Sequence, residues 1–139
     1  RPALTRVALS ADIETAVAGT PPPRVVIILR LYLAPLLDRL ARPVDGRVPF
    51  AVLDLDDDEV TTRERLAWLH AQRGHAGHAT DEDDECQRYR VLESAWLRRF
   101  DRVCVCSEHD REVVSRRVGH TGVVVVPNAI PAIVPPAVR

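Results

Sequence analysis

Four short apolar runs punctuate the chain, and the first three are each followed by a polar break and then by residues at helical spacing. Val25-Val26-Ile27-Ile28-Leu29 is continuous and rich in β-branched residues, the pattern of a strand buried on both faces of a parallel sheet. Leu31 to Leu40 (LYLAPLLDRL) predicts the next helix, which tolerates Pro35 only within its first turn. Residues 43–48 predict a turn, and Phe50 to Leu53 a second strand. That strand is cut off abruptly by Asp54, Asp56, Asp57, Asp58 and Glu59.

Thr61 and Glu64 have capping-box spacing and predict a helix over 61–72, ended by Gly74. Residues 74–84 (GHAGHATDEDD) lack apolar periodicity and read as a mobile segment. Tyr89, Leu92, Trp96 and Phe100 then recur at helical spacing, predicting a longer helix over 83–100. Arg102 to Cys106 predicts a third strand. Ser107, with Asp110 three residues on, caps a helix carrying Val113, Val114 and Val118 before Gly119. Val123 to Val126 is the fourth strand, broken by Pro127-Asn128. Upstream, Ile13 and Val17 suggest a short helix over 10–18, stopped by Gly19 and Pro21-Pro22-Pro23.

Alternating strands and helices imply right-handed βαβ units, and so an α/β fold: a Rossmann-like parallel sheet with helices on both faces. Residues 1–128 form the expected domain, and 129–139 (AIPAIVPPAVR) a linker leading out of it. In open parallel sheets ligands bind outside the carboxyl ends of the strands, so the acidic turn lies where a cleft is expected. Its crowded carboxylates repel one another, which keeps them near solvent, a cation or a polyhydroxylated ligand.

Composition narrows the partners. Apolar residues at 46% and charged residues at 28% fit one globular core in a chain of 139 residues. A net charge of −1 gives no polyanion footprint, so no nucleic-acid partner is expected. All 19 basic residues of the Lys+Arg total are arginines, and Arg1-Pro2 stands where an initiator Met would, which suggests a fragment or a processed chain. Cys86, Cys104 and Cys106 form no C-x-x-C; Cys104 and Cys106 share one strand face and read as small core residues. A reducing cytoplasm fits this usage. No run is long enough for a membrane span, and peripheral attachment to a membrane surface stays open.

The series VLDLDDDE, YRVLESAWLRRFDRV, VCVCSEHD and VVVVPNAI, taken in order, resembles the N-terminal half of glycosyltransferase family 4 enzymes of GT-B architecture, over roughly residues 25–130. The resemblance implies a retaining glycosyltransferase whose second domain holds a nucleotide-sugar donor while this half faces a glycan or lipid-linked acceptor. It implies no metal and no cofactor beyond the nucleotide sugar as co-substrate, and a fragment inactive alone. Carried over by position, Asp54, Asp56 and Asp57 line the acceptor side of the cleft. Ser107 and Glu108 end the third strand, and Asn128 marks the crossing into the C-terminal domain. Asp54 and His109 are the candidates for chemistry. Ala129 stands where the family pattern has Gly.

Each of these residues has a plainer reading. Ser107 suffices as a helix cap, Glu59 as a carboxylate favoured at a helix N-terminus, and His109 as an exposed helix residue. Trp68 and Trp96 read as core or domain-packing residues, and Glu93 as a solvated or paired charge. His75-x-x-His78, with His70 nearby, can suggest a metal site, but it lacks a rigid helix and a third ligand, so no metal is expected there. Two other classes stay open. Asp56-x-Asp58-x-Val60 mimics the nucleophile motif of haloacid-dehalogenase-like phosphatases, although the chain has no Lys to balance a phosphate. A non-catalytic flavodoxin-like module would instead bind a divalent ion or a partner at the acidic turn.

Overall fold

The computed structural model describes residues 15, 19–21 and 23–128. The expected helix over 10–18 and the expected linker over 129–139 lie outside the described residues, apart from Thr15. Strands β1 (Val25–Leu29), β2 (Phe50–Asp54), β3 (Arg102–Val105) and β4 (Val123–Val125) form one parallel sheet in the order β1-β2-β3-β4. Leu29 is in register with Asp54, Asp54 with Cys104, and Cys104 with Val124. The α/β parallel-sheet class follows the alternation seen in the sequence.

The crossover from β1 begins as a 3-10 helix over Leu31–Leu36 and ends in the single turn α1 (Leu37–Leu40). Pro35 lies late in the 3-10 segment. It has no N–H to extend an α-helical ladder there, so regular α geometry starts only after it. Helices α2 (Glu59–Gln72) and α3 (Ala76–Trp96) form an antiparallel hairpin between β2 and β3, followed by a 3-10 turn over Leu97–Arg99. Helix α4 (Glu108–Val118) joins β3 to β4 and stops at Gly119 in the left-handed conformation.

Several expectations need correction. Helix α2 starts two residues early, because Asp58 rather than Thr61 caps it, accepting from the Thr61 N–H. Residues 76–84 are helical, where the sequence showed no periodic pattern. Their polarity hid this, since α3 is steadied at that end by side chains on α2 such as Arg63, which bonds Glu82 at 3.0 Å, and not by an apolar core stripe. Strand β1 is buried on one face only: Val26 and Ile28 are core, whereas Val25, Ile27 and Leu29 are exposed at 50–63%.

The one-sided burial follows from topology, which also places the connecting helices on one face of the sheet and not, as expected, on both. When each strand is the neighbour of the one before it, right-handed crossovers bring every connecting helix to the same side. That side holds the core, centred on Leu53, Val103, Leu31, Val60, Leu97 and Val114, all fully buried. On the other side, Phe50 and Arg102 are exposed and Cys104 is half-buried, so Val103 and Val105, not the cysteine pair, are the core residues of β3. Trp68 is also on the surface, at 64% exposure, while Trp96 is half-buried under the Arg99 guanidinium. Among the described residues, no helix is long and apolar enough to cross a membrane.

Candidate functional site at the carboxyl ends of β2, β3 and β4

Parallel neighbours end on the same edge, so β2, β3 and β4 deliver the acidic turn, the start of α4 and Asn128 to one rim of the sheet. Two contacts fasten the rim. The Leu55 N–H donates to the Cys104 carbonyl at 3.1 Å, and the Cys106 thiol donates to the Asp56 carbonyl at 2.8 Å. At the other side, the Val126 N–H donates to the Val105 carbonyl at 2.8 Å, keeping the chain alongside β3 as it approaches Asn128.

Asp54 closes β2 and turns its carboxylate back on the chain, accepting from the Asp56 N–H at 3.2 Å. Asp56 has φ 61°, and Asp57 N–H bonds the Leu55 carbonyl at 2.7 Å, so the turn is tight. Arg30, directly after β1, neutralises much of it. Its N–H donates to the Asp54 carbonyl at 2.8 Å, and its guanidinium pairs with Asp56 and lies 3.6 Å from Asp57 and 3.9 Å from Glu59. Asp57, with 67% of its side chain exposed, is the carboxylate of the turn that faces water most openly.

Asp58 does something different. It is only 7% exposed, and its carboxylate accepts from the Thr61 hydroxyl at 2.6 Å, the Thr61 N–H at 3.3 Å and Arg117 at 2.6 Å. Arg117, reaching across from α4, also grips Glu93 of α3 with two bonds of 2.6 and 2.7 Å, and Glu93 is 2% exposed. One guanidinium therefore ties the β2 turn, α3 and α4 together beneath the rim. Burial would raise the Asp58 carboxyl, but the bonds from Arg117 and Thr61 outweigh it and hold the group below its ordinary value. For Glu93 burial wins and the carboxyl is raised, despite Arg117. The Arg117 guanidinium, although desolvated, is raised further by both partners. Arg30 and Arg117 were both missed by sequence reasoning; the one available hint was an Arg placed directly at the end of the first apolar run.

The remaining residues can be placed one by one. The Ser107 hydroxyl accepts from the Asp110 N–H at 3.1 Å and donates to the Asp110 carboxylate at 2.5 Å, so it is a committed helix cap. Glu108 is exposed and bonds the Arg111 Nε at 2.8 Å; His109 and Asn128 are exposed. Burial raises both the Cys104 and Cys106 thiols, and the carboxylates add to it: Asp54 beside Cys104, and Asp56, Asp54 and Asp57 beside Cys106. Neither is therefore an activated thiolate.

Chemically, the rim can accept hydrogen bonds from a polyhydroxylated ligand through Asp54 and Asp57. It is poorly arranged for a phosphatase nucleophile, because Asp56 is clamped by Arg30 and Asp58 is locked under Arg117. No group of three or more His, Cys, Asp or Glu side chains is arranged to hold a metal ion among the described residues. A cavity of about 670 Å³ lies at the opposite, amino-terminal edge of the sheet, lined by residues such as Arg24, Arg47 and Pro49, away from the rim.

The fold and this rim define a parallel-sheet α/β protein with an acidic, carboxyl-edge site. No family model, curated protein or solved structure matches the chain.

Proposed function

We propose that the chain is the acceptor-side half of a retaining GT-B glycosyltransferase acting in the cytoplasm, with a second domain binding the nucleotide-sugar donor. The observation that carries this reading is the convergence of the Asp54 turn, the Ser107–His109 helix start and Asn128 on one rim of a parallel sheet. The four sequence stretches that resemble such enzymes are the β2 turn, the latter part of α3 and the ends of β3 and β4, and three of them end at that rim. The fourth supplies Glu93, which holds Arg117 under it.

In this reading a hydroxyl of a glycan or lipid-linked acceptor attacks the anomeric carbon of the donor sugar, and the nucleoside diphosphate leaves. The chain's own part is positioning. Asp54 and Asp57 accept hydrogen bonds from acceptor hydroxyls, His109 reaches the same opening from the first turn of α4, and Asn128 sits at the passage to the donor domain. Asp56 and Ser107 shape the rim through Arg30 and Asp110, and Glu108 borders it through its pair with Arg111. Stabilisation of the leaving phosphate belongs to the second domain.

The test is sugar transfer by the protein encoded by the whole reading frame, followed by mass spectrometry with a panel of nucleotide sugars and acceptors. Transfer without added divalent metal, with roughly a tenfold or greater loss of kcat/KM for the acceptor in Asp54→Asn, is the expected result. Absence of transfer together with magnesium-dependent phosphate release from p-nitrophenyl phosphate would overturn it in favour of a phosphatase.

A further inference from the structure

We infer that the cavity at the amino-terminal edge of the sheet binds a ligand bearing a phosphate monoester or diphosphate group, at a site separate from the rim. Arg24, Arg42 and Arg47 line it together with one carboxylate, Asp45, so its lining carries a net charge of +2 in a protein whose overall charge is −1. None of the three guanidiniums has a hydrogen-bond or ion-pair partner among the described residues. Elsewhere arginines are committed: Arg63, Arg88, Arg90 and Arg117 each hold a carboxylate. The carboxylates of the adjoining depression, which shares Arg42 and Pro49 with the cavity, are taken too. Asp38 pairs with Arg99, and the Asp101 carboxylate accepts from the Ala51 N–H at 2.7 Å.

Three separate segments bring the arginines to this opening, and hydrogen bonds fix the backbone of each. Arg24 is tied to the start of β2, its carbonyl accepting from the Phe50 N–H at 2.9 Å. Arg42 follows the end of α1, where the Ala41 N–H donates to the Leu37 carbonyl at 2.8 Å. Arg47 closes a two-residue turn: the Val44 N–H donates to its carbonyl at 3.0 Å, and its own N–H donates to the Val44 carbonyl at 2.9 Å. Asp45 and Gly46, at φ 51° and 72°, take the left-handed pair of conformations that such a turn requires. Like charges held around one recess repel one another and concentrate a positive field, which a doubly charged anion neutralises. Guanidinium forks match phosphate oxygens and stay charged at any physiological pH. At about 670 Å³ the cavity exceeds what a bare phosphate fills and suits an ester of sugar size. Asp45 then accepts from a ligand hydroxyl, and Val48 and Pro49 flank the carbon skeleton.

The test titrates the protein with ribose 5-phosphate and with inorganic pyrophosphate by calorimetry, in buffer free of phosphate and sulfate, with ribose as the neutral control. In parallel the protein is sedimented with phosphatidylcholine vesicles made with and without phosphatidic acid. Binding of either soluble probe with a Kd of about 1 mM or tighter identifies a free ligand, and sedimentation with the phosphatidic acid vesicles alone identifies the same group on a lipid. In both cases Arg24→Gln, Arg42→Gln and Arg47→Gln should each weaken binding by roughly threefold or more, and Arg24→Gln with Arg47→Gln by roughly tenfold or more. Arg65→Gln, exposed on α2, should leave it unchanged. The three cavity arginines are exposed, so circular dichroism and Tm of the variants should match the wild type. Ribose 5-phosphate should bind more weakly at pH 5 than at pH 7.5, because the phosphate loses its second charge near pH 6 while the arginines keep theirs. Absence of binding to every probe, or equal binding by wild type and the double variant, would overturn the inference; neither result bears on sugar transfer, which is assayed separately.

Discussion

Replacing Arg117 by Met keeps the aliphatic stem and removes the charge that serves two buried carboxylates. Glu93 would lose both of its bonds, and Asp58 would keep only those from Thr61. Removing one partner of a buried pair costs about 3–5 kcal/mol, because the desolvated charge left behind is uncompensated. That is a large share of the 5–15 kcal/mol typical of a domain, and at roughly 3 °C per kcal/mol Tm should fall by about 10–15 °C. The pH dependence identifies the cause. Without the guanidinium, burial pushes the folded-state values of both carboxyls above their unfolded ones. A group raised in this way favours the folded state at pH values below its unfolded value and withdraws that support as pH rises through its folded value. The variant's deficit should therefore be greatest near pH 7 and shrink as pH falls towards 4. Adding Glu93→Gln to Arg117→Met should restore part of the loss at pH 7, since it removes a stranded charge. Urea denaturation followed by circular dichroism at pH 7 and pH 4.5 gives the comparison. A deficit below about 1 kcal/mol, or one equal at both pH values, would refute this account of the network.

Three further outcomes follow from other parts of the structure. Wild-type stability should decline as pH drops below about 4, because the Asp58 value is depressed on folding, so its contribution is present above the unfolded value and is lost as pH falls through the folded one; Asp58→Asn should flatten that limb of an acid-unfolding curve. Leu53→Ala, at a fully buried position, should cost about 3–4 kcal/mol by urea denaturation, whereas Trp68→Gln, at 64% exposure, should change stability by less than about 0.5 kcal/mol. Gly77→Ala, where a Cβ meets nothing within 4 Å in a helix, should stabilise by about 0.5–1 kcal/mol in thermal melts; Gly122→Ala should destabilise by more, since its Cβ would come 2.7 Å from the Asp101 carbonyl oxygen.

The strands and their order of direction were readable because apolar runs and polar breaks are local signals. Ser107 with Asp110, and Gly119 after Val118, were readable for the same reason. What the sequence concealed was set by distance along the chain or by uniformity. Arg117 finds Glu93 24 residues away and Asp58 59 residues away, and nothing marks it out among 19 arginines. Four neighbouring carboxylates look alike on paper, yet one caps a helix beneath the surface, one is clamped by Arg30 and one faces water. The beginning of α3 was invisible because its neighbours are side chains on α2, so it needs no apolar stripe of its own. The bare face of β1 could not be inferred from Val25 to Leu29 either, since a run apolar at every position carries no record of which side is covered.

Arg30 and Asp56 both hold positive φ angles, 76° and 61°, at positions where a glycine would be the relaxed choice. Such backbones carry about 1–3 kcal/mol of strain each, here opposed by the ion pair that joins the two side chains. A bend built from glycine is indifferent to the solution around it, but one braced by partly exposed opposite charges weakens as ions accumulate. The mouth of the rim is thus sensitive to ionic strength, while the floor beneath it, shielded from water, keeps its form.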